Sequence, residues 1–460
     1  MSNSERYESD SMGKVAIPAS AYWGAQTQRA VANFGVSELR IPEAMIRALA
    51  YIKKNAAKTN AELGLIESRL TEAITRAGDE VAAGRHDEQF PIDVFQTGSG
   101  TSWNMNINEV LANRANEMLG EPLGTRSPVH PNDHVNRGQS SNDVIPTAIQ
   151  IANRLEAARL LDSIETLRAA LGAKSEEFAD VVKLGRTHLQ DAVPMTLGQE
   201  FGAFAEQTAK SAARLSATFP RLEELPLGGT AVGTGINCAP EFAPRTIAAI
   251  AEETGVPFRQ AENLFEGIAA RDAQVELMGV LNTYATSLMK IANDLRLLAS
   301  GPRGALGEIT LPSLQPGSSI MPGKVNPVIP EMIIQVAAHV SGKMVSVTIG
   351  GQNGPLELNI MQPLLAYETL SALRLLSESS IAFAERCIAG INAEPGRCEY
   401  WVEWSLALVT PLALEIGYDR ASQLAYRAFR EQRTIREVAL EEAVLPPERL
   451  NELLDPRTML

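Results

Sequence analysis

One long stripe of apolar residues constrains the fold of this chain more than any other feature. Between about Val275 and Ser300, apolar side chains recur in alternating steps of four and three, which places them on one face of a helix. The stripe consists of Leu277, Leu281, Tyr284, Leu288, Ile291, Leu295 and Leu298. About 26 residues at 1.5 Å each predict a helix roughly 40 Å long. Gly301 and Pro302 then supply the stop signal.

Four further segments predict long helices. The segment after Asn142 and Asp143 repeats the alternating steps of three and four. The others follow Pro194, Pro330 and Pro363, where apolar and small residues are dense. Five long helices within about residues 143–390 indicate a helical bundle.

The chain looks different on either side of this central region. Loops break it before residue 138, and after about residue 392 it is charged and short-helical. We therefore predict a mainly α fold with three parts: an N-terminal domain with active-site loops (1–138), a central long-helix bundle and oligomer core (139–392), and a small C-terminal helical domain (393–460). Several helices look apolar on more than one face, which predicts burial against other subunits in a homo-oligomer.

Composition excludes several functional classes. The net charge of −14 argues against nucleic-acid binding, which needs a basic surface. The N-terminal residues contain no apolar run, and no segment offers about 20 uncharged apolar residues, so we expect neither a signal peptide nor a membrane span. The three cysteines, Cys238, Cys387 and Cys398, lack metal-ligand spacing and suit a reducing compartment. We expect a cytoplasmic protein with ordinary thiols.

Four clusters of Gly, Ser, Thr and Asn interrupt the helices, and such loops commonly carry reactive groups. Residues 97–102 can be a flexible turn, and residues 138–143 can be a set of helix caps. Residues 185–191 contain His188, one of five histidines, whose imidazole can titrate near neutral pH or be purely structural. Residues 317–327 form the most specific of the four patterns.

The glycine-rich segments do not match known nucleotide-binding motifs. In the 317–327 segment, five residues separate Gly317 from Gly323 where a P-loop has four, and Val325 stands where Ser or Thr should bind magnesium. Residues 228–235 lack the glycine spacing of a dinucleotide-binding turn. A nucleotide cofactor is therefore not expected.

Metal binding is also a poor fit to this sequence. His130 and His134 lie four residues apart, but Pro131 falls between them and no nearby cysteine completes a zinc site. We expect no metal.

The 317–327 segment reads Gly-Ser-Ser-x-Met-Pro-x-Lys-x-Asn-Pro and closely resembles the signature of the fumarase/aspartase superfamily. The resemblance covers nearly the whole chain, including residues 22–29, 97–102, 140–142 and 287–294. It implies a mostly helical homotetramer whose active sites combine loops from three subunits, without a cofactor or metal.

The choice within the superfamily depends mainly on His188. Class II fumarases have Thr-His at this position, whereas aspartases have glutamine in place of the histidine, so the chain resembles a class II fumarase that hydrates fumarate to malate. Residues 326–331 and 356–361 look as much like aspartase, and Trp103 is bulkier than expected, which keeps aspartate ammonia-lyase as the alternative.

The resemblance implies a role for each site residue. The catalytic residues are His188, Ser318 and Glu331. The substrate-binding residues are Ser99, Gly100, Thr101, Ser140, Ser141, Asn142, Thr187, Ser319, Lys324, Val325 and Asn326. A second dicarboxylate site comprises His130, Pro131, Asn132 and Asp133.

Removal of a proton beside a carboxylate creates an aci-carboxylate that needs preorganised donors. By resemblance, Lys324 and Asn326 hold this group, while the loop backbone lowers the pKa of Ser318 so that it acts as the base. His188 serves the attacking or leaving water as general acid/base, oriented by Glu331. Alternatively, Glu331 has only a structural role, because a negative charge at the start of a helix interacts favourably with the helix dipole. A different hypothesis is that the chain is a superfamily member with a structural or regulatory role and no catalysis. The presence of all five of these residues argues against it, because a protein without the activity has no physical need for them.

Overall fold

The computed structural model describes residues 5–460, which are mostly helical. The helices are α1 (Ala25–Asn33), α2 (Glu43–Glu62), α3 (Ser68–Ala82), α4 (Thr101–Met118), α5 (Ser141–Glu177), α6 (Leu197–Ser216), α7 (Phe219–Leu222), α8 (Phe242–Thr254), α9 (Leu264–Ala269), α10 (Asp272–Leu298), α11 (Val328–Gly351), α12 (Gln362–Arg386), α13 (Pro395–Trp404), α14 (Leu412–Ile416), α15 (Tyr418–Glu431), α16 (Ile435–Glu441) and α17 (Pro447–Leu453). This content confirms the predicted fold class.

Strands contribute four small two-stranded sheets to the described chain. The strands are β1 (Glu5–Asp10), β2 (Gly13–Pro18), β3 (Val182–Thr187), β4 (Gln190–Thr196), β5 (Glu224–Leu225), β6 (Arg259–Gln260), β7 (Ile309–Thr310) and β8 (Asn392–Ala393). The β5–β6 pair is parallel, and the other three pairs are antiparallel.

The five long helices predicted from the sequence are present as α5, α6, α10, α11 and α12. The seven residues of the α10 stripe are each at most 4% exposed. Their burial confirms that the alternating spacing marks the face of α10 that packs into the core.

The residues group into two compact units, each built from three segments of the chain. Unit 1 comprises Met1–Leu161, Ala213–Thr283 and His339–Leu376, and unit 2 comprises Asp162–Ala212, Tyr284–Ala338 and Ser377–Leu460. The division into three consecutive domains stays a prediction.

Each unit has its own buried interior. In unit 1, Met45, Leu49 and Ile52 of α2 and Trp103 of α4 are fully buried. In unit 2, the C-terminal helices α13, α15 and α16 enclose an apolar cluster that also includes Leu184 of β3. This cluster therefore holds the β3–β4 hairpin in place, because the Leu184 side chain is removed from water there.

Helix α11 is apolar along much of its length. Its most apolar 18-residue stretch has a mean hydropathy of 1.4, which meets the length and composition criteria for a membrane span, and 28% of that stretch is buried within the chain. This helix nevertheless lacks the run of about 20 uncharged apolar residues expected of a membrane span, because Glu331 and Lys343 both fall within it. Val345 and Ile349 are 60% and 50% exposed. A single chain thus leaves much of this helix uncovered.

Candidate active site

Two of the predicted substrate-binding segments lie side by side in unit 1. Residues 99–101 lead into α4, which begins at Thr101, and residues 140–142 lead into α5, which begins at Ser141. Asn104 Nδ2 of α4 donates a hydrogen bond to Ser141 Oγ of α5 over 3.0 Å. The N-termini of two long helices therefore meet, and both carry the positive end of a helix dipole.

Two glycines allow this close packing. Gly100 has a φ of 74°, and a Cβ there would approach the Ile145 side chain of α5 to 2.9 Å. A Cβ on Gly98 would stand 1.9 Å from the carbonyl oxygen of Ile360. The backbone N–H of Gln362 donates to Gly98 O over 3.0 Å, which ties the 97–102 segment to the start of α12. Only a residue without a side chain fits at Gly98.

The polar atoms of this half of the site are neutral hydroxyl, amide and backbone groups. Ser99 Oγ and Thr101 Oγ1 lie 2.8 Å apart and share a hydrogen bond. Because Ser141 Oγ already accepts from Asn104, the Ser141 hydroxyl hydrogen remains available to a ligand. Such donors at helix N-termini suit a carboxylate that must bind and then leave.

The capping interpretation of residues 138–143 is confirmed for Ser140, whose Oγ accepts from the backbone N–H of Asn142 over 3.3 Å. Asp143 Oδ1 accepts from the backbone N–H of Ser140 over 2.9 Å, and its Oδ2 accepts from Gly228 and Thr230 at 3.0 Å each. Burial raises the pKa of Asp143 to about 6, and these three donors partly offset that effect. Asp143 therefore holds the glycine-rich 228–235 segment against the start of α5.

The β3–β4 hairpin of unit 2 carries Thr187 and His188 at its tip. Thr187 pairs with Gln190, so His188 and Leu189 form a two-residue turn with φ values of 56° and 58°. Leucine rarely adopts this left-handed conformation, and such strained positions cluster at functional sites. The exposed turn projects the imidazole of His188 beyond the sheet.

A buried ion cluster fixes strand β3 of this hairpin. Arg186 forms a two-pronged pair with Glu308, with Nη1–Oε2 and Nη2–Oε1 distances of 3.0 and 2.8 Å. Glu308 is fully buried, and Lys183 Nζ lies 3.6 Å from its Oε2 and 2.7 Å from Glu200 Oε2. The residue preceding Thr187 is thus anchored in the interior of unit 2.

Replacing Glu308 with glutamine is expected to destabilise the protein by about 3–5 kcal/mol, because Arg186 and Lys183 lose the carboxylate that compensates their buried charge. Denaturant unfolding at neutral pH measures this loss. The matched control is Glu385→Gln, an exposed carboxylate on α12, for which we expect a change within about 0.5 kcal/mol. Equal unfolding midpoints for the two variants would contradict a structural role for the cluster.

The signature loop of unit 2 is closed at its neck by backbone hydrogen bonds. Gly317 N donates to Lys324 O over 2.9 Å, and Asn326 Nδ2 donates to Gly317 O over 2.6 Å. The tip between them is exposed, with Ile320 83% accessible. The loop presents residues 318–325 to solvent from a fixed base.

Ser318 occupies a distinctive position in this loop. Its Oγ accepts hydrogen bonds from the backbone N–H groups of Ile320 and Met321, at 3.3 and 3.0 Å. Two N–H donors directed at a hydroxyl oxygen stabilise its deprotonated form more than its neutral form. The geometry is therefore compatible with the predicted role of Ser318 as a base.

Lys324, Asn326 and Glu331 line a cavity of about 860 Å³ in unit 2, together with Asn293 and Arg296 of α10. Two cations and one carboxylate give this cavity a net positive lining, which favours an anionic ligand. Val325 lines the same cavity, whereas Ser319 is an exposed residue of the loop tip.

Some predicted partners do not meet within one chain. Among residues 5–460, no hydrogen bond or ion pair joins His188 to Glu331 or to Ser318. Glu331 lies in the first turn of α11, where its charge is favourable to the helix dipole. The orientation of His188 by Glu331 stays a prediction, and the structural alternative for Glu331 is compatible with its position.

The predicted second dicarboxylate site forms one turn of helix in unit 1, at Pro131–Val135. His130 Nδ1 accepts from the backbone N–H groups of Asn132 and Asp133 at 3.2 Å each. Burial, followed by the charge of Arg126, lowers the pKa of His130. His130 therefore caps this turn as a neutral imidazole near pH 7, and its binding role remains a prediction.

The thiols are unreactive in character. Burial raises the pKa of Cys238 to about 11 and those of Cys387 and Cys398 to about 12, and all three are free cysteines. Across residues 5–460, no group of three or more His, Cys, Asp or Glu side chains is arranged to hold a metal ion.

Sequence reasoning missed the residues that support the site from behind. Lys53 of α2 is fully buried and donates to Asn136 and Gln139, next to the residues 140–142. In the sequence it stands beside Lys54, and a pair of lysines in a helix suggests a solvated face. Only a break in the apolar pattern of α2 could have marked it.

Comparison with known proteins places the chain in a family. The lyase family model matches residues 13–342, and the model for the fumarase C C-terminus matches residues 408–460. The chain is 51% identical to the fumarate hydratase class II of Nitrosomonas europaea, over 99% of this chain and 98% of that one. It is 50% identical to the mitochondrial fumarate hydratase of Homo sapiens, over 100% of this chain and 90% of that one.

Solved structures agree with these matches. The class II fumarase of Schistosoma mansoni has a TM-score of 0.95 at 40% identity, with 99% of both chains covered. A fumarate lyase:delta crystallin from Brucella melitensis in native form has a TM-score of 0.92 at 46% identity, with 98% of this chain and 100% of that chain covered. The chain therefore belongs to the class II fumarase family.

Proposed function

We propose that this protein is a fumarate hydratase that reversibly adds water to fumarate to form (S)-malate. The observation that carries the proposal is that the chain has both an exposed His188 at a strained hairpin tip and a signature loop whose Ser318 Oγ accepts two backbone N–H bonds. The names of the full-length relatives favour this reaction over the ammonia-lyase alternative.

In the dehydration direction, Ser318 takes the proton from the malate carbon next to a carboxylate, and the electron pair moves into that carboxylate as an aci-carboxylate. Lys324 and Asn326 stabilise the added negative charge. His188, protonated, donates its proton to the departing hydroxyl group, which leaves as water while the double bond forms. Dehydration therefore leaves the serine protonated and the imidazole neutral, and hydration reverses each transfer and restores the starting protonation of both residues.

The two helix N-termini of unit 1 bind the substrate carboxylates in this proposal. Ser99, Thr101, Ser141 and Asn142 supply hydroxyl and amide donors, and Gly100 supplies a backbone N–H. Thr187, beside His188 on the hairpin, completes the set. Because the donors in this set are neutral, they hold a dianion less tightly than cationic side chains would, which favours release of the product.

The uncovered surface of α11 supports a homotetramer in which each active site takes segments from three subunits. An apolar helix with exposed Val345 and Ile349 is stable in water when other copies cover it. In such an assembly, His188 of one subunit can pair with Glu331 of another, since no hydrogen bond or ion pair joins these two residues within a single chain. We place the tetramer in the cytoplasm, where three free thiols suit a reducing environment.

The first test follows the absorbance of fumarate in the presence of the purified, chelator-treated protein. We expect loss of fumarate absorbance and formation of malate without ammonium, at a rate that added divalent metal does not raise. Product identification by NMR separates malate from aspartate. Aspartate formed only with ammonium would replace the hydratase proposal with the ammonia-lyase alternative, and no turnover with either would refute both.

A further inference from the structure

A buried lysine lies directly behind the substrate-binding segment of unit 1. The Lys53 side chain is fully buried in α2, and its Nζ donates to Asn136 Oδ1 at 2.8 Å and to Gln139 Oε1 at 2.9 Å. Neither acceptor is charged, so no carboxylate is in hydrogen-bond contact with the ammonium group among the described residues. A buried lysine without a direct ion pair is costly and therefore calls for a reason.

Lys53 determines which way two side-chain amides point. An ammonium group can only donate, so Asn136 and Gln139 must both present their oxygens to it. Their amide nitrogens then point away: Asn136 Nδ2 donates to Gln139 O at 3.1 Å, and Gln139 Nε2 donates to Val135 O at 3.1 Å. This arrangement stiffens residues 135–139, the turn that leads into the substrate-binding residues 140–142.

A second connection reaches the substrate-binding residues through α4. Asn136 Oδ1 also accepts from Asn104 Nδ2 and Asn108 Nδ2, both at 3.2 Å. Asn104 Nδ2 uses its other hydrogen to bond Ser141 Oγ at 3.0 Å. The chain of contacts Lys53–Asn136–Asn104–Ser141 thus fixes Ser141 as an acceptor on its protein side, which directs its hydroxyl hydrogen toward a ligand.

We propose that Lys53 is a positioning residue for substrate binding: it orients the amides that hold Ser141, and its buried charge attracts the substrate carboxylates from behind residues 140–142. The inference rests on the proposed binding role of those residues. It adds a cation to a half-site whose own donors are neutral, and a unit charge acts strongly through a poorly solvated interior.

The electrostatic surroundings of Lys53 are simple. Burial lowers the pKa of Lys53 to about 7, and the charge of Asp143 on α5 opposes this effect. Asp79 of α3 and Glu253 of α8, which also pack against α2, pair instead with the neighbouring Lys54. A bound dianion favours the protonated amine, so substrate affinity falls as pH rises through the pKa of Lys53.

The test compares Lys53→Met with the wild-type tetramer. We expect KM for fumarate and malate to rise on the order of tenfold, with kcat changed less than threefold, because the variant loses a binding charge and no reacting group. In the wild-type protein, KM should rise between pH 6 and 8.5 as Lys53 loses its proton. In Lys53→Met, most of this rise should disappear. An unchanged KM would overturn the proposal, whether or not kcat also falls.

Stability separates this role from a structural one. The folded-state pKa of Lys53 lies below the usual value of about 10.5, so the unfolded chain binds the extra proton and folding is weakened as pH falls from about 10.5 to 7. Lys53→Met should therefore keep or raise the unfolding midpoint at pH 8. The matched control, Lys54→Met, removes the ion-pair partner of Asp79 and Glu253. This variant should lower the midpoint and leave KM unchanged. A lowered midpoint for Lys53→Met, of the same size as the control, would indicate a structural lysine.

A second measurement does not require the Lys53 variant to fold. Succinate serves as the dianionic probe for His188→Asn protein, in which the hairpin imidazole cannot take up a proton. We expect calorimetry at pH 8 in buffers of different ionisation enthalpy to show proton uptake on succinate binding, and less uptake with the monoanion butyrate. Absence of uptake would overturn the inference. Failure of the proposed function itself is distinguishable, since the wild-type protein would then not hydrate fumarate at all.

Discussion

Replacement of His188 with asparagine is expected to lower kcat for both fumarate hydration and malate dehydration by about 10²–10⁴-fold, the usual contribution of a general acid/base. KM should change little, because the imidazole acts on the hydroxyl group that leaves and not on the carboxylates. The bell-shaped pH profile of kcat should lose one limb. Steady-state kinetics with malate over pH 6–9 measure both effects. His86→Asn is the matched control: it removes the 3.1 Å contact with Glu80 in unit 1 and should leave kcat unchanged.

The same variant tests whether active sites are shared between subunits. Inactive His188→Asn and Ser318→Ala proteins are mixed, unfolded and refolded together. If each site takes His188 and Ser318 from different subunits, random mixing in equal amounts restores both residues in roughly a quarter of the sites. If both residues come from one subunit, no mixed tetramer contains a complete site. Mixed tetramers that native mass spectrometry detects, but that stay inactive, would contradict the shared site.

The long helices could be predicted because their signal is local and repeated. In α10, the alternating steps place seven residues in one stripe, and burial of that stripe is the same property that creates the pattern. The exposed apolar face of α11 was also foreseeable, since a helix apolar on several sides must be covered on several sides. Periodicity reports which face is apolar, and that is enough to identify a bundle.

The two halves of the candidate site differ in how much of them the sequence revealed. The signature loop is contiguous, so one motif predicts roles for Ser318, Lys324 and Asn326. Lys53 and Glu308 support loops that lie far from them in sequence, at residues 136–142 and 183–186. Such contacts depend on tertiary structure, so they produce no motif or periodic pattern that could be recognised in the sequence. Resemblance to a family carries over residues that touch substrate more readily than those that hold them in place.

Glycine 98 illustrates a contact that composition alone obscures. In the sequence it belongs to a Gly-Ser-Thr run that can be an ordinary flexible turn, and flexibility would tolerate an added methyl group. In unit 1, however, its Cα faces the backbone of the loop that precedes α12. The requirement for glycine there comes from close approach to another segment and not from an unusual φ.

Gly98→Ala is therefore expected to destabilise the protein by about 3 kcal/mol and to lower kcat/KM by roughly 100-fold. The new methyl group would stand 1.9 Å from Ile360 O and 2.7 Å from Ile360 C, and both are backbone atoms that cannot rotate aside. Relief of the clash separates the two segments, breaks the bond from Gln362 N to Gly98 O, and displaces Ser99 and Thr101 from the end of α4. Thermal unfolding and steady-state kinetics measure the two losses.

Gly172→Ala provides the matched control for the loss of a glycine. Gly172 lies inside α5, and an added Cβ there meets no atom within 4 Å. Alanine in that position should stabilise the helix by about 0.5–1 kcal/mol, because it lowers the conformational freedom of the unfolded chain. The two glycine variants should thus change stability in opposite directions. A Gly98→Ala protein with wild-type KM and an unchanged unfolding temperature would show that the 97–102 segment is not held against Ile360, and that the donors of Ser99 and Thr101 are positioned by some other contact.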